Sequence, residues 1–358
     1  MRQILFGSED ILEMEINELN LKAFYIGFDL GVCQTDQFSE VVLDALVDFA
    51  FGYHTGILKQ YDRRKLKEAA RSLYSIRDFS IYKSEYIDKN KVLDEDDLIV
   101  NKEQLDEEAL EKYEAIYNKR GEFGELILHV ILRDYFATAP LLSKIHFKDS
   151  DGITVHGFDS VHIGPDINDK TKNSLFLGES KLYYRAKGDA GKHGIKDLVQ
   201  DIKNHLDVDF FKRECILVSK KNDSYKAIEN YIDESTKVAY EKFLKIKDQF
   251  MENLQKAGEG KSKLQDILSS ITIPLICTYK SELFSICTDD SDVSFKDKYS
   301  DEVRQLKNLL DIELSKLPKG KGIINKVELN IVLIIIPIPS KKDLLTTLHT
   351  KLWNQQNA

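Results

Sequence analysis

Three residues interrupt an otherwise apolar stretch of this chain: Glu179, Ser180 and Lys181 lie inside LFLGESKLYY, Leu175 to Tyr184. At the two-residue period of a β-strand, Leu175, Leu177, Glu179, Lys181 and Tyr183 share a face, so a carboxylate and an ammonium stand among leucines. Buried ions are costly unless they are paired or bind something, which marks the strand as a place for chemistry. Upstream, ITVHGFDSVHI, Ile153 to Ile163, sets Asp159 on the same side as Ile153, Val155, Val161 and Ile163. Two such strands side by side would bring the Asp159 and Glu179 carboxylates to one point. Hard carboxylate oxygens hold Mg²⁺, with Mn²⁺ as a substitute, and such an ion polarises a phosphate and lowers the pKa of a bound water. Lys181 would help to place that water and stabilise the charge developing on phosphorus.

An acid, a spacer containing a turn, and then E-x-K resembles the arrangement of the PD-(D/E)xK nucleases. Their third component is an acid on the preceding helix. RGEFGELILHVILRDYF, Arg120 to Phe136, carries Leu126, Ile127, Val130, Ile131 and Asp134 at helical spacing and reads as a mainly buried helix. Glu125 stands at its start beside Gly121 and Gly124, where a phosphate or a backbone can approach closely, and Glu122 is the alternative acid. Phe158 occupies the position where the nuclease motif has proline, a departure that bears on Asp159 more than on the E-x-K.

The elements around these residues read as an α/β chain. After the E-x-K strand, Gly188, Gly191 and Gly194 with Lys187, Lys192 and His193 read as a loop able to follow a phosphate backbone. A helix from Ile195 to Leu206 follows, with Ile195, Leu198, Val199 and Ile202 inward and Gln200 as a further substrate-binding candidate. ECILVSK, Glu214 to Lys220, reads as a buried strand, and so do ITIPLICTY and the run from Leu329 to Ile338. Toward the N-terminus, KAFYIGFDLG predicts a strand, FSEVVLDALVDFAFGYH a helix, and Arg63 to Ile76 a helix that is basic on its outer positions. The stretch from Tyr86 to Glu111, dense in Asp, Glu and Lys, predicts a boundary, with an N-terminal domain over 1–100 and the nuclease-like domain over 101–358.

Composition narrows the function. The chain has 358 residues, of which 42% are hydrophobic and 31% charged, so it can build a sizeable core and is not disordered. Its net charge of −9 argues against a wholly basic nucleic-acid binder, although a local basic strip or a partner can supply the missing charge. Cys33, Cys215, Cys277 and Cys287 show no C-x-x-C spacing and read as reduced thiols of a cytoplasmic protein. Leu329 to Pro339 is too short to span a bilayer and carries prolines, so no membrane association is expected. The absence of a G-x-x-x-x-G-K-[ST] loop excludes P-loop ATP hydrolysis by this chain. His129, His156 and His162 have no cysteine near enough in sequence to complete a zinc site and read as hydrogen-bonded structural histidines.

The segments R-G-E-F-G-E-L, G-F-D-S-V-H and L-G-E-S-K-L-Y, with I-P-L-I-C-T-Y and I-I-P-I-P-S near the end, resemble the HamA proteins, nuclease subunits of the Hachiman anti-phage defence system. That resemblance implies a restriction-endonuclease-like core, a mixed sheet flanked by helices, with an N-terminal α/β extension. It also implies a metal-dependent DNase and a partner helicase, HamB, that restrains it. Carried over by residue, Asp159 and Glu179 would bind metal, Lys181 would serve the water, and Glu125 would assist from its helix. The competing classes are an inactive nuclease-fold scaffold that regulates a helicase, with Glu179 and Lys181 as a structural pair, and an autonomous restriction-type endonuclease.

Overall fold

The apolar run near the C-terminus becomes an interior strand. Leu333 and Ile335 face one layer of the protein, and Val332, Ile334, Ile336 and Ile338 face the other, all fully buried. A strand covered on both faces is free to be apolar at every position, which is why this segment shows no alternation in sequence. The structure, a computed structural model, describes residues 8–52, 63–73, 121–141, 158–184, 189–220, 237–287, 289–290, 293–325 and 329–357.

A seven-stranded mixed sheet forms the centre. Its strands are β1 (Leu12–Glu18), β2 (Leu21–Ile26), β3 (Ala139–Pro140), β4 (Ser160–Pro165), β5 (Asn173–Tyr183), β6 (Ile271–Lys280) and β7 (Asn330–Ile338). Their spatial order is β1-β2-β7-β6-β5-β4-β3. Strands β2, β7, β6 and β5 run parallel, while β1 at one edge and β4 and β3 at the other are antiparallel to their neighbours. Helices α1 (Thr35–Asp44), α2 (Leu46–Phe51), α3 (Arg63–Leu73), α4 (Gly121–Tyr135) and α9 (Lys341–Asn357) bury their apolar sides in one layer. On the other face lie α5 (Ala190–His205), α6 (Val208–Lys220), α7 (Lys237–Gly258) and α8 (Val293–Ser315). The mixed sheet between helical layers is the α/β architecture that the sequence predicts. The expected domain boundary lies outside the described residues, and β1 and β2 hydrogen-bond into the same sheet as β5.

Several local expectations change. The helix expected after Phe38 is two helices, α1 and α2, meeting at Ala45. Glu214 to Lys220 belongs to α6 rather than to a strand: Phe211, Cys215 and Val218 are buried at helical spacing, and the apolar run alone was too short to tell the two apart. Gly191, Lys192, His193 and Gly194 form the first turns of α5 instead of a loop. The two glycines are there for packing. A Cβ on Gly194 would lie 2.5 Å from Cys277 Sγ of β6, and one on Gly191 would lie 3.0 Å from the Tyr279 ring.

Gly194→Ala tests that seating. Alanine adds about 1 kcal/mol of helix propensity, but the overlap with a buried, one-torsion sulfur outweighs that gain. In urea melts Gly194→Ala is expected to be less stable than the parent. Clearing the sulfur with a second substitution, Cys277→Ala, should make the double variant more stable than Gly194→Ala alone.

Candidate functional site

Helix α5 lies antiparallel on β5, and three of its side chains meet three of the strand's. The Tyr183 hydroxyl donates to Asp197 Oδ2 at 2.6 Å, Lys181 Nζ lies 2.5 Å from Asp201 Oδ2, and His205 Nδ1 lies 3.5 Å from Glu179 Oε1. Four helix residues rise about 6 Å and two strand residues about 6.6 Å, so the positions i, i+4 and i+8 of α5 keep step with alternate residues of β5. The face predicted for Glu179, Lys181 and Tyr183 is the one the structure presents to α5.

Asp159 comes from the next strand, near enough for its charge to act on Glu179. Regular pairing of β4 with β5 begins at Ser160↔Gly178, and one residue earlier the Asp159 N–H donates to the Gly178 carbonyl at 2.9 Å. Its Oδ2 accepts from both the Ser180 N–H and the Ser180 hydroxyl, each at 2.8 Å. Phe158, in the place of the motif's proline, packs its ring on His205 with centroids 4.2 Å apart. The ring of Phe210 stacks on the same imidazole at 5.4 Å.

Burial sets the electrostatics. Glu179 is 5% exposed, its Oε1 has no hydrogen-bond partner, and no partner reaches His205 Nδ1 opposite. Burial, with the negative charges of Asp159 and Asp201, raises the Glu179 pKa well above 4.5, and Lys181 only partly opposes this. Burial alone would lower the Lys181 pKa, but its bond to Asp201 and the charges of Asp201, Asp159 and Glu179 raise it above the ordinary lysine value. Burial, aided by Lys181, pushes His205 down to about 4, so its imidazole is neutral near pH 7. A neutral ring at 3.5 Å makes neither an ion pair nor a well-formed hydrogen bond with Glu179.

The structure therefore gathers Asp159, Glu179 and Lys181, and adds Asp201 and His205. Glu125 and Glu122 sit half-buried in the first turn of α4, on the opposite face of the sheet, where Gly124 packs against Ser180. The charges acting on Glu179 are those of Asp159, Asp201 and Lys181. Gln200 is exposed on α5, and its neighbour Asp201 is the residue that faces β5. Lys192 is exposed, His193 Nε2 pairs with Asp189 at 3.0 Å, and Lys187 lies outside the described residues. The sequence signal for the two added residues was the i, i+4, i+8 spacing of Asp197, Asp201 and His205 beside the buried positions Leu198, Ile202 and Leu206.

His129 and His162 are hydrogen-bonded, as expected of structural histidines. The Thr138 hydroxyl donates to the Leu132 carbonyl at 2.7 Å, so it accepts from His162 Nδ1 at 2.9 Å, and His162 Nε2 then accepts from His129 Nδ1 at 3.0 Å. His156 lies outside the described residues. Among the described residues no group of three or more His, Cys, Asp or Glu side chains is placed to hold a metal ion. The orphaned, buried Glu179 Oε1 and the adjacent Asp159 carboxylate nevertheless have the hard-oxygen chemistry that suits a divalent cation.

Fold and site together define an α/β protein with a nuclease-like core. The chain belongs to the HamA family, whose family model matches residues 5–352, and this makes it a component of the Hachiman anti-phage defence system. No curated protein and no solved structure matches it significantly. No helix among the described residues is long and apolar enough to cross a membrane.

The raised Glu179 pKa has a testable sign. Above pH 4.5 the unfolded chain releases this proton while the folded chain keeps it, so stability falls as pH rises until the folded pKa is passed. In urea melts with a chelator present, Glu179→Gln should gain on the parent over that window, by at most about 1.4 kcal/mol per pH unit. A difference that stays constant between pH 4.5 and 8 would show that Glu179 titrates normally.

Proposed function

We propose that this HamA protein is a metal-dependent DNA nuclease that hydrolyses phosphodiester bonds under the control of a HamB-like helicase. One observation carries the reading: a buried carboxylate, Glu179, with an unpartnered oxygen, stands beside Asp159 and next to an ammonium that Asp201 keeps charged. A structural ion pair would leave no oxygen orphaned at this depth.

Asp159 and Glu179 would hold Mg²⁺ or Mn²⁺, whose chemistry is to polarise the phosphate and lower the pKa of an attacking water. Asp159 is already oriented for that task by its two bonds from Ser180, which fix one oxygen. Lys181, paired with Asp201 and raised in pKa, is a poor general base. It acts as a fixed positive charge and hydrogen-bond donor toward the phosphoryl oxygens as charge builds on them. Lys192 and His193 in the first turns of α5, with Lys187 before them in sequence, contribute to holding the phosphate backbone.

A net charge of −9 makes the isolated chain a weak DNA binder, so the helicase loads it and supplies the ATP-driven step for which this sequence has no P-loop. The N-terminal 1–100 segment is the proposed contact with that partner.

Plasmid DNA incubated with Mg²⁺ or Mn²⁺ provides the test. The protein should cut when helicase and ATP are present and cut little alone. Folded Glu179→Ala and Lys181→Ala variants should each lose about 10²-fold or more of the rate. No metal-dependent cleavage in any mixture would leave Glu179 and Lys181 as structural residues of a scaffold.

A further inference from the structure

We propose that His205 is a metal ligand, its Nδ1 and Glu179 Oε1 together holding one divalent cation. This rests on the reading of Glu179 as a metal-binding acid and adds a nitrogen to an otherwise all-oxygen site. Three observations converge on it. Nδ1 and Oε1 are both buried, both lack a hydrogen-bond partner, and they face each other. Two buried polar atoms that face each other without a hydrogen bond are a costly arrangement, which a cation shared between them would relieve.

The separation fits that role. Two ligands about 2.1 Å from a common cation are about 3.0 Å apart at a right angle and about 3.4 Å apart at the tetrahedral angle. The observed 3.5 Å is about half an ångström beyond the right-angle value that suits octahedral Mg²⁺ or Mn²⁺, a gap a side-chain adjustment closes, and is too long for a good hydrogen bond. The ring is also packed against Phe158 and Phe210 at the last turn of α5. Neither phenylalanine can offer Nδ1 a hydrogen bond, so this packing orients the nitrogen without satisfying it. Phe158 thereby acquires a function that a proline at that position could not perform in the same way: it aims the imidazole.

An imidazole ligand changes which metal the site prefers. Mixed nitrogen and oxygen sets favour Mn²⁺ and later first-row ions, whereas Mg²⁺ favours oxygen alone. Binding of Mn²⁺ and of Mg²⁺ to the metal-stripped full-length chain, followed by calorimetry, reads this without any nuclease assay. His205→Phe keeps an aromatic ring against Phe158 and Phe210 while removing the nitrogen, and melting in chelator checks that it folds. The expected result is a loss of at least about tenfold in Mn²⁺ affinity with a smaller loss for Mg²⁺. His205→Asn, which can return an acceptor near the Nδ1 position, should recover part of the loss. A spin-echo measurement on Mn²⁺ bound to the unsubstituted chain should show ¹⁴N modulation that His205→Asn reduces, a readout that does not depend on His205→Phe folding. If Mn²⁺ binding is lost in Glu179→Gln but unchanged in both His205 variants, or if the ¹⁴N modulation is absent, the role of His205 is overturned and Glu179 remains a metal ligand. If Mn²⁺ does not bind the parent, or binds equally well to Glu179→Gln, the metal reading of the site falls with it.

Discussion

The site depends on how closely α5 rests on the sheet. Every contact that distinguishes Glu179, Lys181 and Tyr183 from ordinary strand residues comes from that one helix, through His205, Asp201 and Asp197. The match between a four-residue helical step and a two-residue strand step works only if the helix runs antiparallel to β5 and within side-chain reach. Gly191 and Gly194 permit that approach, because the β6 residues Tyr279 and Cys277 already occupy the space where their side chains would be. The glycines that look like a phosphate-tracking loop in sequence are thus the means by which charged side chains on two elements meet in a buried place.

Much of the site was legible in sequence because a buried charge on a strand violates a simple pattern. The alternation in LFLGESKLYY placed Glu179 and Lys181 on the face that α5 covers, and the nearly unbroken apolar run at 329–338 correctly announced a strand buried on both sides. Asp201 and His205 were harder to see, since a polar residue on an amphipathic helix is unremarkable until its opposite number is known. Gln200 was a near miss of one position, about 100° of helix rotation, and that rotation separates solvent from the site. The strand expected at 214–220 failed for a related reason: seven residues of mixed polarity fit both periods, and only the packing of Phe211, Cys215 and Val218 decides between them.

The two faces of β5 divide the labour of holding the site. On the α5 side stand the charges. On the other, Phe176 enters the core, and Ser180 lies over Gly124 of α4 while its hydroxyl and N–H fix Asp159. The layer beneath is kept rigid by satisfied polar contacts: the Thr138–His162–His129 chain ties β3, β4 and α4 together, and Arg133 joins α4 to α2 through Asp48 at 3.1 Å. These groups are deep but fully directional, each donor matched to an acceptor, which is the condition under which buried polar groups add rigidity instead of strain.

That contrast gives the site its meaning. Along the Thr138–His162–His129 chain the facing polar groups are joined by hydrogen bonds; at Glu179 and His205, which are nearly as well enclosed, the facing carboxylate oxygen and ring nitrogen are not. That pair lies beside a lysine whose charge is secured by a separate partner, Asp201. Lys181 is tied to Asp201 at 2.5 Å and opposes the penalty on Glu179 only in part. That acid is therefore left a strong acceptor for a cation brought from outside. A carboxylate destabilised in this manner holds a divalent ion more firmly than one already satisfied by its neighbours, because binding relieves a penalty that folding left in place.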